Sequence, residues 1–595
     1  MRRNVLSFAA SRYDLIPVAQ GIRPADVFIR GGNVLNVYSG EVLAGNVAIS
    51  RDRIAYVGES EAAIGGETLV IDAKGQYVSP GFIETHAHPW VVYNPVSLTE
   101  KVLPLGTTTI LHDDLFAYLH FGVDGVRRMV EDLRALPGLH FWLARIVSQA
   151  EYEGERDDFA PEKLAALLEL PDVIGTAEVT RWLMLYEADP FALETIERAK
   201  AMGKVSDGHT AGCSYERLNS IVASGISACH ESITVQEILD RLRLGMWTVM
   251  RNSSLRPDLS ELLKAVTEHH VSTSRLMMTT DGPHPAFISE EGYVDGLIRT
   301  AVKEGVPAMQ ALQMVTLNAA TYMGLDEMLG GIAPGRRADV LLLPDLETFR
   351  PSLVIAGGEV VARDGELQVA LPAIDWASYP DRMPITVGTR EPIDPKIFQY
   401  RCASGGEEAS VPVIRFKIAV ITSRQDETLP VRDGLVDISG RPGLAYGALL
   451  DRAGEWVSHA IIDNFMGGAQ GFASSYNTTT HILGIGRSPA AIAAAVARMR
   501  DLGGGIVLVE DGKPILEIPL PLAGMMTTSP SFETAVRYQD ELLAAVKERG
   551  YPFHDILYSL LFLTCDFLPG LRLTSQGLID VKRHEVLHPS TPLRL

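Results

Sequence analysis

Between residues 77 and 330 the sequence alternates strand-like and helix-like segments, and this alternation limits the fold more than any other feature. The strand-like segments are 77–88, 106–112, 140–147, 173–179, 204–210, 226–231, 247–252 and 275–281. Helix-like stretches fall between most of them, for instance 122–135, 161–170, 191–202, 258–269 and 293–304. Eight βα units in about 250 residues is the size of a (β/α)₈ barrel. We therefore predict an α/β fold with a TIM barrel over residues 77–330, although the pattern alone also allows a doubly wound open sheet.

Short strands separated by turns flank this region on both sides, at residues 25–76 and 331–370. Two β segments around one long insert predict a small β-sandwich that both of them build. The remaining predicted units are an N-terminal extension (1–24), a linker with the start of a C-terminal region (371–440), and a C-terminal α/β domain (441–595). In that last domain, Ser488 as N-cap and Pro489 at the first position predict a helix over 489–500.

The charge balance restricts the partners that the protein can have. Lysine and arginine number 53 and aspartate and glutamate 74, which gives a formal net charge of −21. Such an acidic protein repels nucleic acid and anionic membranes unless it carries a basic patch, and the sequence has none. The four cysteines are scattered without a CxxC pair, which fits a reducing compartment. Since the apolar stretches are also too short for a signal peptide or a membrane span, we expect a cytoplasmic protein.

Histidine and carboxylate side chains fall at the ends of several predicted barrel strands. Side chains alternate faces along a strand, so His86 and His88 point the same way and can bind one metal ion together. Four further candidates close the fourth, fifth, sixth and eighth strands, namely Glu178, His209, His230 and Asp281. In a barrel the carboxyl ends of all strands meet at one face, where active sites lie. Residues that are distant in sequence therefore converge in the predicted fold.

These four imidazoles and two carboxylates exceed what one tetrahedral metal ion with an open position needs. They suit two divalent first-row ions bridged by a carboxylate and a hydroxide. Taken singly, each residue also has an ordinary structural role open to it, such as a rim ion pair, a hydrogen-bonded core histidine or, for Asp281, a turn before Gly282. Their joint placement at matching strand ends favours the metal centre.

The order of these groups resembles that of the amidohydrolase superfamily. Within it, longer stretches resemble the adenine deaminase family: DGHTAG at 207–212, GISACHE at 225–231, LRLGMWTVMR at 242–251, NAATYMG at 318–324 and GIAPGRRAD at 331–339. The C-terminal third resembles the same family at 503–509 (GGGIVLV) and 517–524 (EIPLPLAG), and most amidohydrolases lack such a domain. The resemblance covers roughly residues 25–370 and 440–585.

The resemblance implies an enzyme of purine salvage that hydrolytically deaminates adenine to hypoxanthine and ammonia, with a metal-bridging hydroxide attacking C6. It implies two divalent ions, Mn, Fe or Zn with Mn favoured. We assign His86, His88 and Glu178 to one ion, and expect Glu178 to bridge to a second ion held by His209 and His230. The expected partners are a purine base and further copies of the chain, as a dimer or a higher homo-oligomer.

The remaining site residues receive roles from the same hypothesis. Asp281 would bind metal, take the proton of the attacking hydroxide and pass it to the departing ammonia, as general base and then general acid. Glu231, beside His230, is the candidate acid for the ring nitrogen N1, or else an ordinary loop carboxylate. Three residues near strand ends are candidates for holding or stacking the purine, and each also fits a structural role: Trp90, Arg251 and His284.

Three stretches depart from the family pattern. Residues 89–92 replace Ile-Glu-Ser-Ser, residues 113–116 replace Asp-Pro-His-Glu, and residues 478–482 keep one histidine of His-Asp-Ser-His-Asn. Two alternatives therefore stay open: another N-heterocycle deaminase or cyclic amide hydrolase on the same binuclear site, and a non-catalytic purine-binding relative. Cyclic amide hydrolases often bridge their metals with a carboxylated lysine on strand four. Since that strand offers Glu178 and no lysine, the sequence favours deamination.

Overall fold

The computed structural model describes residues 5–402 and 406–593. At its centre is a parallel sheet whose strands follow one another in chain order: Phe82–Ala87, Thr107–Asp113, Leu139–Ala144, Val173–Thr176, Val205–Gly208, Ala228–Cys229, Trp247–Arg251 and Leu276–Thr279. Its two ends meet, because Ala87 bridges to Asp281 in parallel and the His88 amide donates to the Asp281 carbonyl oxygen at 3.3 Å. The predicted (β/α)₈ barrel is confirmed, and the open doubly wound sheet is wrong.

Helices follow most of these strands and cover the outside of the barrel. Their bounds are Pro95–Val102, Leu115–Leu133, Glu155–Asp158, Pro161–Leu168, Leu183–Tyr186, Pro190–Ala201, Tyr215–Ala223, Val235–Arg243, Leu259–Leu262, Lys264–Thr267, Pro285–Glu291, Val294–Lys303, Ala308–Met314 and Leu317–Met323. Local sequence fixes several starts: Thr234 and Glu237 form a capping box, and Asp189 caps a helix that has proline at its first position. The helix predicted over 258–269 is divided into two short helices on either side of Leu263.

Both flanks of the barrel contribute strands to one further sheet. Its members in the described part of the chain are Val27–Asn36, Glu41–Ser50, Arg53–Gly58, Leu69–Asp72, Tyr77–Pro80, Val340–Leu343, Leu353–Ala356, Glu359–Arg363 and Glu366–Leu367. The flanks join where Val78 pairs with Leu342. The strand predicted over 77–88 is therefore two strands in two sheets. The chain changes sheet at Gly81, where a Cβ atom would lie 2.1 Å from Thr108 Oγ1. The N-terminal extension adds the helix Arg12–Ala19, and its residues 1–4 lie outside the described ranges.

The C-terminal region is built on a third, mostly antiparallel sheet. The strands of this sheet are Glu408–Phe416, Thr422–Arg432, Leu435–Val436, Leu444–Leu450, Trp456–Asp463, Gly471–Ser474, Ile482–Gly486, Gly505–Glu510, Lys513–Pro519 and Thr591–Pro592. A small sheet of Leu571–Thr574, Gly577–Asp580 and Glu585–Pro589 lies beside it. The predicted helix begins at Pro489, as expected, and ends at Asp501. Two more helices are Phe532–Lys547 and Ile556–Phe562, and residues 594–595 are not among those described.

The C-terminal region packs directly on the loops at the carboxyl ends of the barrel strands. Asn94, which follows the first barrel strand, donates from its side-chain amide to the carbonyl oxygens of Thr527 and Ser529, both at 2.8 Å. The Tyr93 ring lies 5.4 Å from the Phe532 ring. Within residues 5–402 and 406–593, no helix combines the length and the apolar composition that a membrane crossing needs.

Candidate metal centre

The barrel brings all six predicted metal ligands to the carboxyl ends of its strands. His86 lies in the first strand and His88 follows it. The other four follow the fourth, fifth, sixth and eighth strands by one or two residues, as the sequence predicts. Their ligand atoms form three overlapping groups within which all atoms lie within 4.8 Å of one another: His86, His88 and Glu178; His86, His230 and Asp281; and Glu178, His209 and His230.

Glu178 lies between the two pairs of histidines. The Nε2 atoms of His86 and His88 are 3.2 Å apart, and His88 Nε2 is 3.8 Å from Glu178 Oε1. The other carboxylate oxygen, Oε2, is 2.6 Å from His209 Nδ1 and 3.2 Å from His230 Nε2. Glu178 thus presents one carboxylate oxygen towards each pair of histidines.

Asp281 closes the cluster on the side of the first strand. Its Oδ1 lies 3.0 Å from His88 Nε2 and 3.6 Å from His86 Nε2. The side chains of Asp281 and His209 are each 13% exposed, whereas those of the other four ligands are 8% exposed or less. Asp281 and His209 therefore form the most exposed side of the cluster.

Close pairing shifts the pKa values of these groups. Burial opposes ionisation of Glu178, but Arg145 and His209 hold its pKa well below the ordinary value. Burial lowers the pKa of His86, but Asp207 raises it to about 10. Burial raises the pKa of Asp281, but the hydrogen bond with His88 and the charge of Arg251 outweigh this effect and hold the pKa well below its ordinary value. An ionised carboxylate can bind a divalent ion directly, whereas a protonated histidine such as His86 must release its proton in order to bind one.

The donor set fits divalent first-row metal ions. Imidazole nitrogens and carboxylate oxygens are ligands that such ions accept, and here they converge in a buried space without any thiolate. His86 Nδ1 is held by Asp207 Oδ2 at 2.7 Å, which leaves Nε2 for the centre. A carboxylate on the far nitrogen of a ligating histidine is a common feature of metal sites. The cluster is therefore compatible with a divalent metal site.

Comparison with known proteins gives the family. Residues 77–361 match the amidohydrolase family, and residues 419–585 match the adenine deaminase C-terminal domain. The chain is 36% identical over 588 residues to an adenine deaminase of Moorella thermoacetica, covering 96% of this chain and 97% of that protein. The chain belongs to the adenine deaminase family. It is also 34% identical to the putative adenine deaminase YerA of Bacillus subtilis, covering 95% of each, and 31% identical to an adenine deaminase of Cenarchaeum symbiosum, covering 98% and 95%. The resemblance drawn from the motifs is confirmed.

Two other predicted residues of the family site lie beside the cluster. Arg251 Nη1 is 2.8 Å from Asp281 Oδ2 and also pairs closely with Glu231. Glu231 Oε1 lies 3.7 Å from His230 Nε2. Burial opposes ionisation of Glu231, but Arg251 and His209 lower its pKa to about 2. Arg251 is thus engaged with two carboxylates of the site.

Trp90 and His284 have different surroundings. The Trp90 ring, which is 3% exposed, lies 4.7 Å from the His88 ring and 4.6 Å from the Phe116 ring. Trp90 therefore forms an apolar wall beside a predicted ligand. His284 caps the helix Pro285–Glu291, and its Nδ1 accepts from the Phe287 amide at 3.1 Å. Its backbone amide donates to Ser254 Oγ at 3.2 Å.

Several residues that surround the centre are not among those predicted from the sequence. Arg145 and Asp207, which contact Glu178 and His86, sit at the ends of the third and fifth strands, so the strand-end criterion could have found them. Gln149 Nε2 lies 3.5 Å from Glu178 Oε1. Two further residues come from the C-terminal region. The Tyr558 hydroxyl donates to the Gly282 carbonyl oxygen, and the Phe567 ring lies 5.7 Å from the His209 ring. No local pattern indicates which residues of a separate sheet will reach the barrel.

Proposed function

We propose that this member of the adenine deaminase family catalyses the metal-dependent hydrolytic deamination of adenine to hypoxanthine and ammonia. The observation that carries the proposal is the position of Glu178 between two histidine pairs, with Asp281 beside them. Relatives that match nearly the whole chain bear the name adenine deaminase, which supports adenine over the other substrates that the sequence allows.

Two divalent ions, with Mn favoured over Fe and Zn, form the proposed cofactor. His86, His88 and Glu178 would hold one ion, and Glu178, His209 and His230 the other, with Asp281 as a further ligand. When bound, such ions would lower the pKa of water to about 7 and so make a nucleophile available at neutral pH. Every other role in the proposal belongs to residues of the chain.

Asp281 is the proposed proton carrier. Its Oδ1 faces the histidines of the first strand, while Oδ2 is held by Arg251 Nη1 at 2.8 Å. A carboxylate fixed in this way can accept the proton of the nucleophile and return it to the leaving amine. Arg251 fixes the orientation of Asp281 in this proposal, in addition to the contact with the purine that we expect of it.

Glu231 remains the proposed acid for N1. It is held by Arg251, and the pKa of about 2 means that it is ionised at neutral pH. It must therefore receive a proton before it can give one, so the proposed role is a relay. Trp90 and His284 are proposed to bound the purine, with the Trp90 ring offering a flat apolar surface beside His88.

We also propose a cellular compartment and partners for the enzyme. The four cysteines are scattered along the sequence without a CxxC pair, which supports a reducing, cytoplasmic compartment. The proposed small-molecule partner is a purine base, and the proposed assembly is a homo-oligomer. The alternatives of a cyclic amide hydrolase or a non-catalytic relative are not favoured, because the full-length relatives named here are adenine deaminases or putative ones.

The test is direct. The protein is purified from Mn-supplemented medium, its metals are counted, and hypoxanthine and ammonia are measured after addition of adenine. We expect two metal ions per chain and equal amounts of the two products. His209→Asn should lose bound metal and turnover, whereas His269→Asn, an exposed position, should keep both. Two bound ions without hypoxanthine would overturn adenine as the substrate.

A further inference from the structure

Asp281 has an unusual backbone conformation. Its φ is +62°, in the left-handed region that L-residues other than glycine, asparagine and aspartate rarely adopt. Two contacts with the barrel help to hold it, since its amide donates to Thr279 Oγ1 at 2.9 Å and its carbonyl oxygen accepts from the His88 amide. A strained residue persists only when its surroundings over-determine it, so the residues that fix the next part of the turn matter as well.

Two buried tyrosines bind the next two carbonyl groups. The Tyr558 hydroxyl donates to the Gly282 carbonyl oxygen in a short hydrogen bond, and the Tyr93 hydroxyl donates to that of Pro283 at 3.0 Å. Tyr93 follows the first barrel strand, but Tyr558 lies in the helix Ile556–Phe562 of the C-terminal region. Burial raises the pKa of both phenols well above 10, so both remain donors over the whole working range of pH.

The turn has no room to shift without disturbing the centre. A Cβ atom at Gly282 would lie 3.0 Å from His88 Cβ and 3.1 Å from Tyr558 Oη. The turn is therefore enclosed between a predicted metal ligand and the phenol of the C-terminal region. Tight packing of this kind transmits a small displacement on one side to the other.

The helix that carries Tyr558 is itself anchored. Asp555 Oδ1 accepts from the Tyr558 amide at 3.0 Å, and Ser559 Oγ donates to the Ala419 carbonyl oxygen at 2.5 Å. The Tyr551 hydroxyl binds the Asp555 carbonyl oxygen at 2.7 Å and Ser559 Oγ at 2.6 Å. The position of the Tyr558 hydroxyl thus depends on the helix of the C-terminal region and on the turn that contains Ala419, between two strands of the C-terminal sheet.

We propose that Tyr558 is a positioning residue for Asp281: by holding the Gly282 carbonyl, the C-terminal region completes the active site of the barrel. The inference rests on the proposed function, in which Asp281 binds metal and carries the proton. Without the hydroxyl, the turn can relax from the left-handed conformation and move the Asp281 carboxylate away from His88. A displacement of about 1 Å is enough to cost much of the rate of a preorganised site.

The first test is Tyr558→Phe, which removes only the hydroxyl. We expect kcat to fall about 10- to 100-fold while KM for adenine changes less than about twofold, because outer contacts of a metal site typically affect it by such factors. The affinity of the metal-free protein for Mn²⁺, measured by competition with a chelator, should fall about tenfold. This second readout does not depend on turnover.

Tyr446→Phe is the matched control. It removes a buried hydroxyl of the C-terminal sheet that donates to the Val436 carbonyl oxygen at 2.9 Å and does not contact the turn at 281–283. It should lower the melting temperature about as much as Tyr558→Phe and leave kcat and Mn²⁺ affinity unchanged. Equal losses of kcat and Mn²⁺ affinity in the two variants would overturn the proposal in favour of general loosening of the C-terminal region. If Tyr558→Phe does not fold, Ser559→Ala releases the same helix from the Ala419 carbonyl oxygen and should lower both quantities, whereas unchanged values would overturn the proposal.

A double-mutant cycle with Asp281→Asn decides whether Tyr558 acts through Asp281. In the Asp281→Asn background, Tyr558→Phe should reduce Mn²⁺ affinity less than twofold further, since residues that act as a unit are not additive. Equal effects in both backgrounds would overturn the inference. The failures are distinguishable: a wild-type protein that makes no hypoxanthine but shows coupling contradicts the proposed function alone, whereas active wild-type protein without coupling contradicts only this inference.

Discussion

Arg145 binds Glu178 twice, with Nη2 at 2.7 Å from Oε1 and Nη1 at 2.7 Å from the carbonyl oxygen. Its Nε lies 2.9 Å from Asp113 Oδ2, and all three residues are buried. The carboxylate proposed to bridge the two ions is therefore fixed by a guanidinium that also neutralises a second buried acid. Arg145 thus fixes the Glu178 carboxylate within the cluster of predicted ligands.

Replacing Arg145 should reveal this role in the metal-free protein. Arg145→Met leaves Asp113 and Glu178 buried without their counter-charge, and breaking a buried ion pair in this way costs about 3–5 kcal/mol. We expect a loss of that size in the free energy of unfolding by urea, with part of it recovered on addition of Mn²⁺, which would compensate Glu178. Arg134→Met, at a partly exposed pair with Asp172, should cost less than about 1 kcal/mol. Equal losses of unfolding free energy in Arg145→Met and Arg134→Met would contradict the proposed role of Arg145.

Asp281→Asn should separate chemistry from folding. Asparagine tolerates the left-handed region as well as aspartate does, so the φ of +62° is no obstacle to the variant. Loss of the proton carrier should reduce kcat about 10²- to 10⁴-fold, as is typical for removal of a general acid–base group. The metal-free variant should remain folded, with a lower melting temperature because Asp281 loses its charge pairs with His88 and Arg251. Turnover within tenfold of wild type would exclude Asp281 from proton transfer.

The six predicted ligands could be predicted from sequence because the barrel itself determines where strand ends meet. Once the eight strands are counted correctly, Glu178 and Asp281 must lie at the same face as His86. The break at Gly81 could not be predicted, because only the close approach of Thr108 shows that the chain changes sheet there. Tyr558 could not be predicted either, since its position depends on how a helix of the C-terminal region packs on a loop of the barrel.

The two flanks of the barrel approach each other closely at Gly358. Its φ is +84°, and a Cβ atom there would lie 1.7 Å from the Arg51 carbonyl oxygen, in a turn of the other flank. Gly358→Ala should therefore cost about 3 kcal/mol or more, from backbone strain together with overpacking. Gly365→Ala is the matched control, because Gly365 has the same φ of +84° and no atom within 4 Å. It should cost only the strain, about 1 kcal/mol, in urea unfolding. Similar losses would show that the close approach is unimportant.

Acid should weaken the C-terminal region through His459. This residue is fully buried; its Nε2 donates to the Ile397 carbonyl oxygen at 2.8 Å, and its Nδ1 has no partner within the described ranges. Burial lowers its pKa from 6.5 to about 4. The folded state resists protonation of His459, whereas the unfolded state takes up the proton near pH 6.5. The free energy of unfolding therefore keeps its full value above pH 6.5 and decreases as the pH falls towards 4. The difference between the two pKa values corresponds to roughly 3 kcal/mol at most.

His459→Gln keeps a donor for the Ile397 carbonyl oxygen and removes the titration. Between pH 7 and pH 4.5 the wild-type protein should lose about 2 kcal/mol more of its free energy of unfolding than this variant does. The variant should still lose some stability, because burial lowers the pKa of His140 to about 4 as well. His269→Gln, at an exposed position, should follow the wild-type curve. If His459→Gln and His269→Gln lose the same amount over this range, proton uptake by His459 does not govern acid unfolding.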